Sequence, residues 1–127
     1  MQVELVSPEA VMFSGEATQV VTRTTEGEIA FLEGHAAFIG ALDVGQVQIW
    51  TPEGVISLAA AGGFVEVSNS VVTLLSDQAM TADQIDVADA RADLEAAQAA
   101  VAADENDEAA AQAVKWAEVR IAVAEAA

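Results

Sequence analysis

All eight glycines and both prolines of this chain precede Met80–Thr81, and none follows. No other feature constrains the fold so strongly, because glycine and proline punctuate short strands and interrupt helices. Before the switch, apolar residues come in brief alternating runs: Val3 and Leu5, Val47 and Ile49, Val55, Ile56 and Leu58, Val65 and Val67, Val72 and Leu74. A period of two with β-branched residues predicts many short strands, hence a sandwich or a barrel. The stretches PEG at 52–54 and SNS at 68–70 read as hairpin turns. After the switch the chain is alanine-rich and its apolar residues follow helical spacing. The expected organisation is a β-domain over 1–80 and a two-helix hairpin over 81–127.

Within the second region, Thr81 and Gln84 have the spacing of a capping box opening the first helix. Ile85, Ala88, Ala92, Ala96, Ala99 and Ala103 form one stripe; Val87, Ala90, Leu94, Ala97 and Val101 form a second beside it. Asp86, Asp89 and Asp93 fall on the wet face. DENDE at 104–108 interrupts the pattern, with Asn106 or Asp107 capping the next helix. There Ala110, Val114, Ala117, Ile121 and Ala124 line up, flanked by Trp116, Val119 and Val123. So short a connection implies an antiparallel pair of helices, each about 20 residues and about 30 Å long. Alanine faces approach closely but bury little area per residue, so the hairpin is expected to be weakly held and able to detach.

Composition removes several function classes. With no cysteine there is no disulfide or thiolate chemistry, and with one histidine, His35, no His-rich metal site. The start, MQVELVSPEA, does not read as a secretory signal. No apolar run approaches the roughly 18 residues of a membrane span, so a soluble protein without membrane insertion is expected. The net charge is −17, from 21 acids against Arg23, Arg91, Lys115 and Arg120. Nucleic acid is excluded as a partner, since phosphate binding needs clustered cations. The acids spread along the whole chain, which favours adaptation to high salt over a single basic partner.

Candidate catalytic groups fare poorly. His35 lacks the further ligands of a metal site, and its spacing to serine supports no triad, so a loop histidine satisfied by backbone or a neighbouring acid is favoured. GGF at 62–64 lacks the spacing and lysine of a phosphate loop and reads as backbone in close approach to another strand. Glu26 and Glu28 in a glycine-containing turn read as solvated acids. Trp50 ends an apolar strand as an edge or interface anchor, and Trp116 fits either core or partner contact. The residues alone lead to a soluble β-domain with a helical hairpin that works by binding.

Several separated motifs in order then resemble a known family. EGEIAFLEGHAAFIGAL followed by GQVQIW is similar to a signature segment of the epsilon subunit of bacterial F-type ATP synthase. LVSPEAVMFSGEATQVVTRT upstream and GGFVEVSNSVVTLLSDQA downstream resemble the family's flanking segments. Ala30, Glu33 and Ala37 stand where the family pattern has glycine, proline and proline, which bears on loop stiffness and removes no catalytic group.

The resemblance implies a flattened ten-stranded β-sandwich followed by two antiparallel helices. It also implies a non-catalytic rotor subunit of the central stalk, without cofactor or metal, that couples the gamma subunit to the c-ring and restrains ATP hydrolysis through its helices. The alpha and beta subunits become further partners by way of those helices. The implied location is peripheral, on the cytoplasmic face of the bacterial cell membrane. Glu28 is expected to face the polar loops of the c-ring, and the segment around His35 to lie at the face shared with gamma and c; Trp116 joins them as an interface candidate. Some members bind ATP through an I-D-x-x-R-A motif. Here it is degenerate: Ile85 and Asp86 match, Asp89 replaces the arginine, Ala90 follows, and Arg91 lies two residues late, on another face of a helix. No ATP binding is expected. Two readings from other classes stay open: a free-standing β-sandwich adaptor for another protein, and a small enzyme acting through Glu26, Glu28 and His35 in a deep pocket.

Overall fold

The computed structural model describes residues 1–127. Ten strands come first: β1 (Gln2–Val6), β2 (Val11–Glu16), β3 (Gln19–Thr24), β4 (Gly27–Leu32), β5 (Phe38–Ala41), β6 (Gly45–Thr51), β7 (Gly54–Ala61), β8 (Phe64–Ser68), β9 (Val71–Leu75) and β10 (Gln78–Thr81). Two helices follow, α1 (Val87–Ala103) and α2 (Glu108–Ala126). The strands form two five-stranded sheets, ordered β2-β1-β9-β8-β5 (sheet A) and β10-β7-β6-β3-β4 (sheet B). All pairings are antiparallel except β1 with β9. The expected sandwich and helical hairpin are both present.

Alternation puts one side chain of every two between the sheets. Val3, Leu5, Val20, Phe31, Val47, Ile49, Leu58, Val65, Val72 and Leu74 are all buried in this single core. A bulge where β1 meets β2 lets both Met12 and Phe13 touch the core and turns Val11 outward. The turn SNS closes β8 onto β9 with Asn69 and Ser70 both at positive φ, the geometry a two-residue hairpin demands. Gly63 needs its missing side chain: a Cβ there would stand 1.8 Å from the carbonyl oxygen of Leu75. GGF is thus a strand crossing.

Part of the outer face of sheet B is covered as well. Leu58, Ala59 and Ala60 are buried consecutively on β7, because the outer face carries α2. Ala59, Ile85 and Val123 form a second small core, with Met80, Ala82, Trp116 and Val119 around it.

The helical region departs from expectation in two ways. The Thr81–Gln84 box caps a single 3-10 turn, Ala82–Gln84, instead of α1: the Gln84 side chain accepts from the Thr81 N–H at 3.0 Å. The chain then re-extends at Ile85, and Asp86 caps α1 by accepting from the Asp89 N–H. Ile85 is thereby freed from the helix to plug the seam below it. Of the two stripes proposed for α1, only the one holding Ala90 and Ala97 is buried; Ala88, Ala92, Ala96 and Ala99 are exposed. The reason is positional. α2 is wedged between α1 and the sheet, whereas α1 packs against α2 and needs one narrow face. Asp107, not Asn106, caps α2, accepting from the Ala110 N–H at 2.9 Å.

Candidate docking surfaces

The β3–β4 turn, Thr24-Thr25-Glu26-Gly27, is built by a threonine. Its hydroxyl donates to the Gly27 carbonyl at 2.9 Å and accepts from the Glu26 N–H at 3.2 Å. Gly27 sits at φ 123°, where a side chain would be strained. The β6–β7 turn repeats the device with Thr51, Glu53 and Gly54. Such turns fix the strands that leave them, and the first aims Glu28 outward from sheet B, directly across from Arg23.

Glu28 is exposed and lines a cleft of about 490 Å³ between sheet B and α2. Arg23, Gln46, Gln48, Lys115 and Glu118 share it; Glu26 and His35 do not. The structure therefore does not bring Glu26, Glu28 and His35 into one pocket, and the small-enzyme reading loses its geometry. No three His, Asp or Glu residues converge as a metal site.

His35 lies in the β4–β5 loop, half-buried, with its ring edge-on to Phe31 at 5.0 Å between centroids. Nδ1 stands 2.7 Å from the Ala36 carbonyl oxygen, the backbone partner expected of a structural loop histidine. The ring is also edge-on to Phe38 at 6.3 Å and stays partly open to water.

Trp116 is half-buried in the seam under α2, with the Arg120 guanidinium 5.5 Å from its ring centre. Arg120 also donates to Asp93 on α1 at 2.9 Å, and Arg91 donates to Glu125 on α2 at 2.9 Å. The degenerate motif residues all serve the fold. Ile85 plugs the seam, Asp86 caps α1, Asp89 supplies the first-turn acid and Ala90 is the close contact to α2.

One surface escaped the sequence reading. On the outer face of sheet A, Phe64, Leu75, Val6 and Val11 pair successively across four strands. Phe64, Leu75 and Val11 are more than half exposed. The row is invisible in sequence because its members are scattered between residues 6 and 75 and only the register aligns them.

Comparison with known proteins places this architecture. The ATP synthase delta/epsilon chain β-sandwich domain profile matches residues 1–82. The chain belongs to the ATP synthase delta/epsilon family. It is 48% identical to the ATP synthase epsilon chain of Corynebacterium urealyticum over 91 residues, covering 70% of this chain and 73% of that one. It is 35% identical to the Synechococcus epsilon chain over 115 residues, covering 91% and 85%. Among solved structures it resembles a chain of the Euglena gracilis mitochondrial ATP synthase, from an OSCP/F1/c-ring assembly, with a TM-score of 0.72 and 25% identity over 97% of this chain and 76% of that one. Membership makes it a non-catalytic subunit of a membrane-associated rotary ATP synthase. No helix of its own is long and apolar enough to cross a membrane.

Proposed function

We infer that this subunit is a rotor component of the central stalk, joining gamma to the c-ring at the cytoplasmic face of the bacterial cell membrane. The observation that carries the reading is the open apolar row on sheet A: the hairpin packs on part of the outer face of sheet B, while Phe64, Leu75 and Val11, aligned through Val6, stay more than half exposed on sheet A. A row of four cross-strand apolar side chains on a chain of charge −17 needs a partner to keep water off it. Gamma is assigned to that row and to the wet edge of His35. The threonine-built turn, rigid and exposed, presents Glu28 to the polar loops of the ring. Trp116 belongs to the hairpin's own hold on the sheet, so any restraint on hydrolysis acts through release of that seam.

Charge reversal of Glu28 is the test. Glu28→Lys in the whole enzyme should lower the number of ATP molecules made per ion translocated while leaving assembly with gamma intact. An unchanged ratio, with Glu28 equally open to labelling before and after assembly, would remove Glu28 from the ring contact. The helices are not assigned a nucleotide: Asp89 opposes a phosphate, and Arg91 and Arg120 are already paired with Glu125 and Asp93. Calorimetric titration of the full chain with millimolar ATP should give no saturable heat.

A further inference from the structure

The chain has no cysteine, so the thioethers of Met1, Met12 and Met80 hold its only sulfur atoms. Met1 is buried, and Met12 packs against the core between the sheets, where 15 residues are buried together. Met80 stands elsewhere. It lies on β10, directly across from Ala59 of β7, and packs against the small core that holds the hairpin down. That core has only 3 buried members, Ala59, Ile85 and Val123. One long, flexible thioether is therefore a large share of the apolar contact between sheet B and α2.

Met80 is also reachable. It is half-buried and borders an open cleft of about 380 Å³ between the β1–β2 turn and the start of β10. Ser7, Pro8, Glu9, Asp77 and Gln78 line the cleft beside it. The two carboxylates there, and the overall charge of −17, repel an anionic oxidant. Hydrogen peroxide is uncharged at neutral pH and small enough to enter. We propose that Met80 is an oxidation site through which a neutral peroxide loosens the hairpin from sheet B.

The sulfur lone pair attacks one peroxide oxygen as the O–O bond breaks. Sulfur gains an S–O bond and is oxidised by two electrons. The departing hydroxide takes the proton from the attached oxygen and leaves as water, so the peroxide is the species reduced. The sulfoxide then carries a polar oxygen into a seam where Ala59, Ile85, Val119 and Val123 have no side-chain donor for it. Kept there, it is an unsatisfied acceptor; turned out to water, it draws the side chain off the seam. Either way α2 loses contact with the sheet, and α1, which packs chiefly against α2, goes with it. The site belongs to the chain's own fold and needs neither gamma nor the ring. On the reading that restraint of hydrolysis acts through release of this seam, peroxide sets that restraint and methionine sulfoxide reductases reset it.

The experiment treats the full chain with millimolar hydrogen peroxide, in a Trp50→Phe background so that Trp116 alone emits. Peptide mass spectrometry should find Met80 converted about fivefold faster than Met12. Trp116 emission should shift to the red, and amide exchange in α2 should speed up about tenfold while the sheet amides hold. Methionine sulfoxide reductases should reverse both changes. Met80→Leu keeps the apolar contact without an oxidisable sulfur and should give no response. Met80→Gln, polar and of similar length, should show the loosened hairpin without peroxide. Oxidation of Met80 with emission and α2 exchange unchanged overturns the proposal, and so does an equal response in Met80→Leu. A loosened hairpin with no change in hydrolysis by the whole enzyme leaves the site standing and removes only its link to restraint.

Discussion

The sandwich and the hairpin meet along one seam but are held by different forces. Between the sheets lie Phe31, Leu5, Ile49, Leu58 and Leu74, large side chains locked by alternating registers. Between the helices lie Ala90, Ala97, Ala110 and Ala117, which bury little, and two ion pairs tie the helices from outside. Burying a leucine or phenylalanine contributes about 1.5–3 kcal/mol, while an exposed ion pair contributes about 0–1 kcal/mol. A stronger hold in the sandwich than in the hairpin therefore follows from side-chain size, before any partner is considered.

The sharpest way to break this contrast is a cavity in the sandwich. Phe31→Ala empties a fully buried position that also supports His35 and Phe38, and should cost about 3–5 kcal/mol. Chemical denaturation should show the whole β-signal shifting. A shift below about 1 kcal/mol, well short of that range, would mean that the two sheets do not share one core.

Overpacking the hairpin is the counterpart. Ala117 is fully buried on α2, and Ala117→Leu should cost about 1–3 kcal/mol. The loss should fall on the helices: reduced α-signal and a red-shifted Trp116, with the β-transition nearly in place. Equal loss from both regions would show that they unfold as one unit.

Removing residues 83–127 tests the proposed division more directly. The shortened chain exposes Ala59 and Met80 but leaves every core position between the sheets intact. It should keep a single cooperative unfolding transition, with a midpoint only a few degrees lower. Absence of a cooperative transition would make the hairpin part of the sandwich's fold.

The smallest effect is a difference in sign. Screening relieves the self-repulsion of a −17 chain and weakens exposed ion pairs at once, as the Debye length falls from about 30 Å at 0.01 M to about 3 Å at 1 M. Potassium chloride should therefore raise the β-transition. In the hairpin that gain should be offset by weakening of Arg91–Glu125 and Arg120–Asp93. Parallel rises in both signals would assign the ion pairs no part in holding the helices.

What could be read in the sequence follows the same divide. The sandwich was legible because its period of two, its turn residues and its strand-crossing glycines are local signals with one structural outcome. The start of α1 misled because Thr81 and Gln84 satisfy a capping box, and nothing local says that it closes after one turn. Only the need for Ile85 to reach the seam against Ala59 decides that, and it is a tertiary fact. The alanine stripes were ambiguous because alanine tolerates either burial or exposure. At the candidate sites, the backbone partner of His35 was foreseeable from residue type. The cleft around Glu28 was not, since its lining comes from β3, β4, β6 and α2.

The place of β1 in sheet A bears on how the chain is made. β1 lies between β2 and β9, paired in parallel with a strand some 70 residues later. As the chain leaves the ribosome, its first strand can form a hairpin with β2 at once but must wait with one edge open until Val71–Leu75 arrives. During that wait β1 lacks its β9 neighbour although four of the five facing strands already exist, and the open edge is a template for any passing strand. The β1–β9 closure is therefore the step where slow synthesis or a crowded cell most readily diverts this chain into aggregates. Its early acidic residues, Glu4, Glu9 and Glu16, stand where they discourage such pairing.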